Sequence, residues 1–86
     1  MRHILYFTAD WCNPCKRTRP IVDELNRDSG DVKFQIIDVD SELEIAKKFN
    51  VSSIPTFVVM ENGSESYRST GAQTKEQLQG LMFNEF

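Results

Sequence analysis

Cys12 and Cys15, the only cysteines in the 86-residue chain, are separated by two residues. A cysteine pair at this spacing serves as a structural disulfide, as half of a metal site or as a redox couple. A disulfide that closes so short a loop restricts the unfolded chain little and contributes only about 2 kcal/mol in the chain-entropy model. A structural zinc site needs four ligands. His3 is the only histidine, so a metal would have to be shared between two chains. The spacing therefore favours a redox couple.

The composition is that of an ordinary globular domain, with 40% hydrophobic and 27% charged residues and a net charge of −3. This charge argues against sequence-independent nucleic-acid binding, which needs clustered basic residues. No apolar run approaches the ~20 residues of a membrane span. The apolar run at the N-terminus is short and is needed as a strand, so we expect no signal peptide. We predict a single cytoplasmic domain over residues 1–86, in a compartment where structural disulfides are rare.

Hydrophobic patterning predicts seven elements in the order strand, helix, strand, helix, strand, strand, helix. The strands are expected at residues 2–7, 32–39, 57–60 and 65–70, and the helices at residues 13–27, from 40–41 to 49, and after 74. A right-handed helical crossover makes the first two strands parallel. Asn62-Gly63 is a strong hairpin signal and predicts that the last two strands are antiparallel, the final one being a polar edge strand.

Local signals mark where the later helices begin. Ser41 with Glu44, and Thr74 with Gln77, fit the capping box, in which two side chains satisfy the free backbone N–H groups of a helix start. Pro20 lies inside the first predicted helix and is expected to kink it. Together these signals predict an α/β fold, a four-stranded mixed sheet flanked by three helices.

This order places Cys12 just past the carboxyl end of a buried strand and at the start of a helix. Free backbone N–H groups and the helix dipole stabilise a thiolate there, so we predict a lowered pKa for Cys12. Cys15 lies one turn further into the helix and is expected to be more buried. Pro14, with its fixed φ, suits the first turn. This asymmetry predicts that Cys12 attacks a substrate disulfide and that Cys15 resolves the mixed disulfide.

The segment from Trp11 to Lys16, WCNPCK, resembles the thioredoxin signature WCGPCK. Further matches to thioredoxins extend over about residues 4–82. They are the helix proline Pro20, Asp38 and Asp40 after the second strand, the segment Ile54-Pro55-Thr56, the hairpin Asn62-Gly63 and Gly71. The usual first strand and helix of the family have no counterpart here. The resemblance therefore implies a minimal thioredoxin fold, similar to phage or archaeal small thioredoxin- or glutaredoxin-like proteins.

The resemblance implies a role for each matching residue. Cys12 would be the nucleophile and Cys15 the resolving cysteine, and Pro55 would be cis and lie against their sulfur atoms. The backbone of Ile54 would pair with an extended substrate segment. The substrate-binding surface would consist of Trp11, Asn13, Pro14, Ile54, Pro55 and Ala72.

The resemblance also implies the partners. A thioredoxin of this kind is a protein-disulfide reductase and electron carrier that maintains cell redox homeostasis. It is recharged by a flavin-containing thioredoxin reductase and acts on disulfide-containing clients, with ribonucleotide reductase as one client class. It uses no cofactor beyond its redox-active disulfide, binds no nucleic acid or membrane, and is a monomer.

The sequence departs from the family at four positions. Tyr6 stands where thioredoxins carry a buried acid, and Ile36 where they carry its partner lysine. A phenol is a poor general base at neutral pH, so we expect proton transfer at Cys15 to use water or the Tyr6 hydroxyl. Asn13 replaces the glycine of the signature and Thr8 replaces a tryptophan. Tyr6 and Lys16 are the candidates for proton transfer or redox tuning.

Three other functions stay open at this level. A glutaredoxin-like protein would be recharged by glutathione, although glutaredoxins usually carry Cys-Pro-Tyr-Cys. An oxidant or isomerase would have a less reducing potential. A non-catalytic binding subunit would use the fold without its chemistry, but binding alone does not require two intact cysteines. The tryptophan before Cys12 and the Asn-Pro pair favour the thioredoxin interpretation.

Overall fold

The structure, a computed structural model, describes residues 1–83; residues 84–86 of the predicted domain lie outside this range. The elements are β1 (Arg2–Thr8), α1 (Asn13–Asp28), β2 (Phe34–Asp38), α2 (Leu43–Lys48), β3 (Thr56–Glu61), β4 (Ser64–Thr70) and α3 (Lys75–Phe83). The strands form one sheet in the order β2-β1-β3-β4. β1 and β2 are parallel, and β3 is antiparallel to both of its neighbours. The predicted order of elements, the fold class and the edge position of the polar last strand are confirmed.

β1 lies inside the sheet, between β2 and β3. Its continuous apolar run suits this position, because helices cover both faces of the sheet there. Ile4 and Tyr6 pack against residues of α1 and α3. Leu5 and Phe7, which point to the opposite face, pack with Ala46 of α2. The cysteine-bearing loop therefore follows a strand that is buried on both faces and paired along both edges. No helix within residues 1–83 has the length and apolar character needed to span a membrane.

The start of α2 differs from the prediction. The predicted capping box of Ser41 with Glu44 is wrong. The helix begins at Leu43, and its N-cap is Glu42, which makes no side-chain cap hydrogen bond. Asp38 Oδ1 accepts hydrogen bonds from the backbone N–H groups of Asp40 (2.8 Å) and Ser41 (3.3 Å). This turn at the end of β2 holds the backbone of Ser41 outside the helix. β2 itself is shorter than predicted and begins at Phe34.

The second capping box is confirmed. The backbone N–H of Gln77 donates to Thr74 Oγ1 (3.1 Å), and the backbone N–H of Thr74 donates to Gln77 Oε1 (2.9 Å). The predicted hairpin is also confirmed: Asn62 and Gly63 both have positive φ, 54° and 86°. The backbone N–H of Asn62 donates to the carbonyl of Met1 (3.1 Å), so the chain start lies beside this turn.

The end of α2 directs the chain toward the site. Asn50 has a left-handed backbone, with φ of 54°. The N–H groups of Asn50 and Val51 donate to the carbonyls of Lys47 and Ala46, both at 3.0 Å. This pair of bonds is the Schellman motif that closes a helix. The chain then turns toward the segment that contains Pro55.

Candidate redox site

The first cysteine caps the helix that carries the second. The backbone N–H of Cys12 donates to the Ala9 carbonyl (3.2 Å), and Cys12 is the N-cap of α1. Its Sγ accepts the backbone N–H of Cys15 at 3.2 Å. Pro14 occupies the first turn, as predicted. The two cysteines, with Cα atoms 5.2 Å apart, form a disulfide. Helix start, cap and disulfide therefore form one structural unit.

Both cysteines are largely covered, and Cys15 is the more buried. The exposed fraction is 5% for Cys12 and 1% for Cys15. They form a small apolar cluster with Ala9, against which Val39 and Ile54 pack. The predicted order of burial is confirmed. A partner that reaches this site meets Cys12 first.

The loop before β3 lies against the cysteines. The Ile54-Pro55 peptide bond is cis, as the resemblance implied. Pro55 is buried, and the Pro55 carbonyl accepts the backbone N–H of Gly71 at 2.8 Å. This bond ties the end of β4 to the loop and places the exposed Ala72 next to it. The loop after β4 thus lies beside the loop whose Ile54 packs against the cysteines.

Trp11 has a polar partner that sequence reasoning missed. Its indole N–H donates to Asp40 Oδ2 at 2.8 Å, while 66% of the side chain remains exposed. A groove of about 880 Å³ runs beside it, lined by Leu43 of α2 and Ile54 among others. Asp40 lies in the turn that follows β2. Its bond to a side chain 29 residues away holds the exposed indole ring next to Cys12.

The thioredoxin family model matches residues 1–84. The chain belongs to the thioredoxin family. It is 44% identical over 77 residues to the thioredoxin of Bacillus subtilis, covering 88% of this chain and 74% of the relative. It is 38% identical over 81 residues to the thioredoxin of Mycoplasma genitalium, covering 94% and 79%. The structure of Fasciola hepatica thioredoxin matches with a TM-score of 0.87 and 34% identity, covering 94% of this chain and 77% of that one.

Family membership and the disulfide-forming pair identify the chain as a thiol–disulfide oxidoreductase with protein-disulfide reductase activity. Thioredoxins in general act with disulfide-containing substrates and with thioredoxin reductase. Within residues 1–83 there is no group of three or more His, Cys, Asp or Glu side chains that could hold a metal ion.

Tyr6 replaces the thioredoxin acid with a fully buried phenol. Its ring stacks on Phe57 with centroids 4.9 Å apart, and its hydroxyl donates to the Cys15 carbonyl at 2.9 Å. Burial raises the pKa of Tyr6, and this outweighs the lowering effects of the Thr8 hydroxyl and of Arg19. Ile36 is its partner across the β1–β2 pair. These contacts favour a role of Tyr6 in positioning Cys15 over the proton transfer expected from the sequence.

The remaining predicted residues lie at the surface of the same helix start. Asn13 is exposed and is the first residue of α1. The non-glycine residues with positive φ within residues 1–83 are Asn50 and Asn62, so replacing the signature glycine with Asn13 does not place an asparagine in a left-handed conformation. Lys16 is also exposed, and it lines a polar cleft on the side of α1 that includes Cys15. The helix continues through Pro20.

Proposed function

We propose that this thioredoxin-family protein reduces protein disulfides in the cytoplasm, with Cys12 as nucleophile and Cys15 as resolving cysteine. The observation that carries the proposal is the cap geometry of Cys12. Its sulfur accepts a backbone N–H at the start of a 16-residue helix, where partial positive charge favours a thiolate. The deeper burial of Cys15 supports the order of the two steps.

The proposed reaction transfers two electrons to the client. The Cys12 thiolate attacks one sulfur of the client disulfide, the client S–S bond breaks, and the leaving client sulfur takes up a proton. The Cys15 thiolate then attacks Cys12 Sγ and displaces the second client sulfur, which also takes up a proton. The client leaves as a dithiol, and the protein holds the Cys12–Cys15 disulfide. A flavin-containing thioredoxin reductase is the proposed source of the electrons that restore the dithiol.

We propose that Trp11, Asn13, Pro14, Ile54, Pro55 and Ala72 bind the client. The exposed indole of Trp11, fixed by Asp40, supports a flat apolar contact beside Cys12. The Ile54 backbone is the proposed partner of an extended client segment, and ribonucleotide reductase is a proposed client class. The protein needs no other cofactor in this scheme and acts as a monomer.

Substitution of Trp11 separates client binding from disulfide chemistry. We expect Trp11→Ala to raise KM for a protein disulfide such as insulin about tenfold, because about 1.4 kcal/mol of apolar contact is a reasonable loss for one exposed aromatic ring. The rate with a small aromatic disulfide should stay within twofold of the wild-type rate. Phe83→Ala is the matched control, since Phe83 is equally exposed (66%) at the end of α3. Equal effects of the two substitutions would remove Trp11 from the binding surface.

The electron donor is tested by comparing two recharging systems. We expect NADPH with a bacterial thioredoxin reductase to support continuous insulin reduction, and glutathione with glutathione reductase to support little. The reduction potential, measured in glutathione buffers with thiol trapping, should lie below about −250 mV, near the ~−270 mV of thioredoxin. A potential above about −210 mV, together with efficient recharging by glutathione, would overturn the proposed donor and favour a glutaredoxin-like protein.

A further inference from the structure

A second cleft, of about 530 Å³, lies on the sheet face that carries α1. It is bounded by the ends of β1 and β2 and by one side of α1, and Cys15 is part of its lining. Besides Cys15, it is lined by six charged side chains: Asp10, Lys16, Arg19, Asp23, Arg27 and Asp38. Its volume exceeds by far the ~30 Å³ that one water occupies, and its lining offers many polar partners. The cleft therefore connects the neighbourhood of the buried cysteine to solvent.

The resolving step needs a proton acceptor on this side of the molecule. Cys15 must lose its thiol proton before it can attack, because the thiolate is the nucleophile. Tyr6 does not meet this need, since its buried phenol keeps its own proton and donates it in the hydrogen bond to the Cys15 carbonyl. Water alone is a weak base, so the stronger acceptors on this side are the three carboxylates that line the cleft.

Two of the three carboxylates are poorly placed. Asp23 is paired with Arg19 at 3.0 Å and lies eight residues after Cys15, about 12 Å further along the helix axis. Asp10 is exposed on the loop after β1. A carboxylate that is bound to a neighbouring cation, or that is exposed on a loop, has no fixed relation to the buried thiol.

Asp38 is held in place beside the cleft. It pairs with Thr8 in the parallel β1–β2 ladder. Side chains two residues apart on a strand point to the same face, so Asp38 lies on the same face of the sheet as Ile36 and its partner Tyr6. It is half-buried. Its Oδ1 accepts two backbone N–H groups, those of Asp40 and Ser41. These bonds fix the carboxyl group and leave Oδ2 available to water in the cleft.

We propose that Asp38 accepts, through water in the cleft, the proton that leaves the Cys15 thiol during resolution. The proposal rests on the cysteine roles proposed above. The Cys15 S–H bond breaks and the proton passes through water to an Asp38 carboxylate oxygen. The resulting thiolate forms the bond to Cys12 Sγ, the bond from Cys12 to the client sulfur breaks, and the electron pair leaves on the client sulfur. Asp38 then returns its proton to solvent through the cleft.

Ellman's reagent separates the two steps in a single experiment. Reduced protein releases one thionitrobenzoate when Cys12 attacks the reagent and a second when Cys15 resolves the mixed disulfide. Stopped-flow absorbance therefore gives a bimolecular first phase and a unimolecular second phase. We expect Asp38→Asn to leave the first phase within twofold of wild type and to slow the second at least about tenfold; a positioned general acid or base typically contributes about 10²–10⁴-fold.

The asparagine variant keeps the local fold, because its amide oxygen still accepts the two backbone N–H groups. Added acetate should restore the second phase of Asp38→Asn in proportion to its concentration, which a merely structural defect would not show. Asp23→Asn and Asp10→Asn are the matched controls and should resolve at the wild-type rate. A wild-type second phase in Asp38→Asn, or a slow one that acetate does not restore, overturns the proposal.

If the proposed roles of Cys12 and Cys15 are wrong, the experiment gives a result that differs from failure of the Asp38 proposal alone. Cys15→Ser should release only the first thionitrobenzoate and keep the second attached to Cys12, as mass spectrometry of a digest can verify. Without that adduct, the cysteine roles and the Asp38 proposal fall together. With the adduct present and normal resolution in Asp38→Asn, the Asp38 proposal alone is overturned.

Discussion

Cys12→Ser is expected to abolish disulfide reduction, leaving only the background rate of uncatalysed thiol exchange. A serine hydroxyl does not ionise near neutral pH and cannot take the place of the thiolate in the exchange step. Cys15→Ser is expected to fail differently, stopping after one turnover with the client attached to Cys12. Insulin reduction followed by turbidity measures the first effect, and non-reducing gel electrophoresis detects the covalent adduct.

The double variant, Cys12→Ser with Cys15→Ser, decides between a reductant and a binding subunit. If the protein acts as a reductant, the double variant loses its function; if it acts as a binding subunit, the double variant keeps it. The reduced wild-type protein is the matched control for folding, because it also lacks the disulfide. Equal free energies of unfolding for the two proteins would assign the loss of activity to chemistry. Full activity in the double variant would contradict the proposed function.

Tyr6→Ala is expected to lower the free energy of unfolding by about 3–5 kcal/mol. Tyr6 is fully buried and stacks on Phe57, and removal of a large buried side chain leaves a cavity that the core fills only in part. That loss is a large fraction of the roughly 5–15 kcal/mol that stabilises a small domain. Urea unfolding of the reduced protein, with circular dichroism as the signal, measures it.

Tyr6→Phe isolates the hydroxyl. It keeps the stacked ring but removes the hydrogen bond to the Cys15 carbonyl. This loss should lower the free energy of unfolding by about 0.5–1.5 kcal/mol. If Tyr6 positions Cys15, the second phase with Ellman's reagent slows by less than it does in Asp38→Asn. A larger slowing than in Asp38→Asn would assign the proton transfer to Tyr6, and an unchanged rate would exclude the hydroxyl from the mechanism.

The sequence predicts an element of the fold correctly where no other nearby side chain competes for the same backbone groups. Continuous apolar runs marked β1 and β3, which are buried on both faces. Thr74 with Gln77 formed the capping box that their spacing predicts. Ser41 with Glu44 has the same spacing, but Asp38 Oδ1 accepts the backbone N–H of Ser41, which Glu44 would accept in a capping box. Spacing alone cannot decide between two local acceptors for the same donor.

The sequence predicts the reactive residues of the site, but it predicts few of the hydrogen bonds that hold them in place. The cysteine spacing and the cis peptide bond at Pro55 followed from motifs. The bond from Trp11 to Asp40 spans 29 residues, so only the fold reveals it. A buried phenol needs a hydrogen-bond partner for its hydroxyl. That the partner is the Cys15 carbonyl depends on how α1 packs on the sheet.

The direction of β1 has a practical consequence for capturing clients. The strand runs from Arg2 to Thr8, about 20 Å at the usual rise per residue, and ends at the cysteine loop. Met1 lies beside the Asn62 turn, at the opposite end of the sheet from the disulfide. A protein immobilised through residue 1 therefore presents the cysteines away from the solid support. A Cys15→Ser column built in this way can hold whole client proteins as covalent adducts, to be released by a reducing wash.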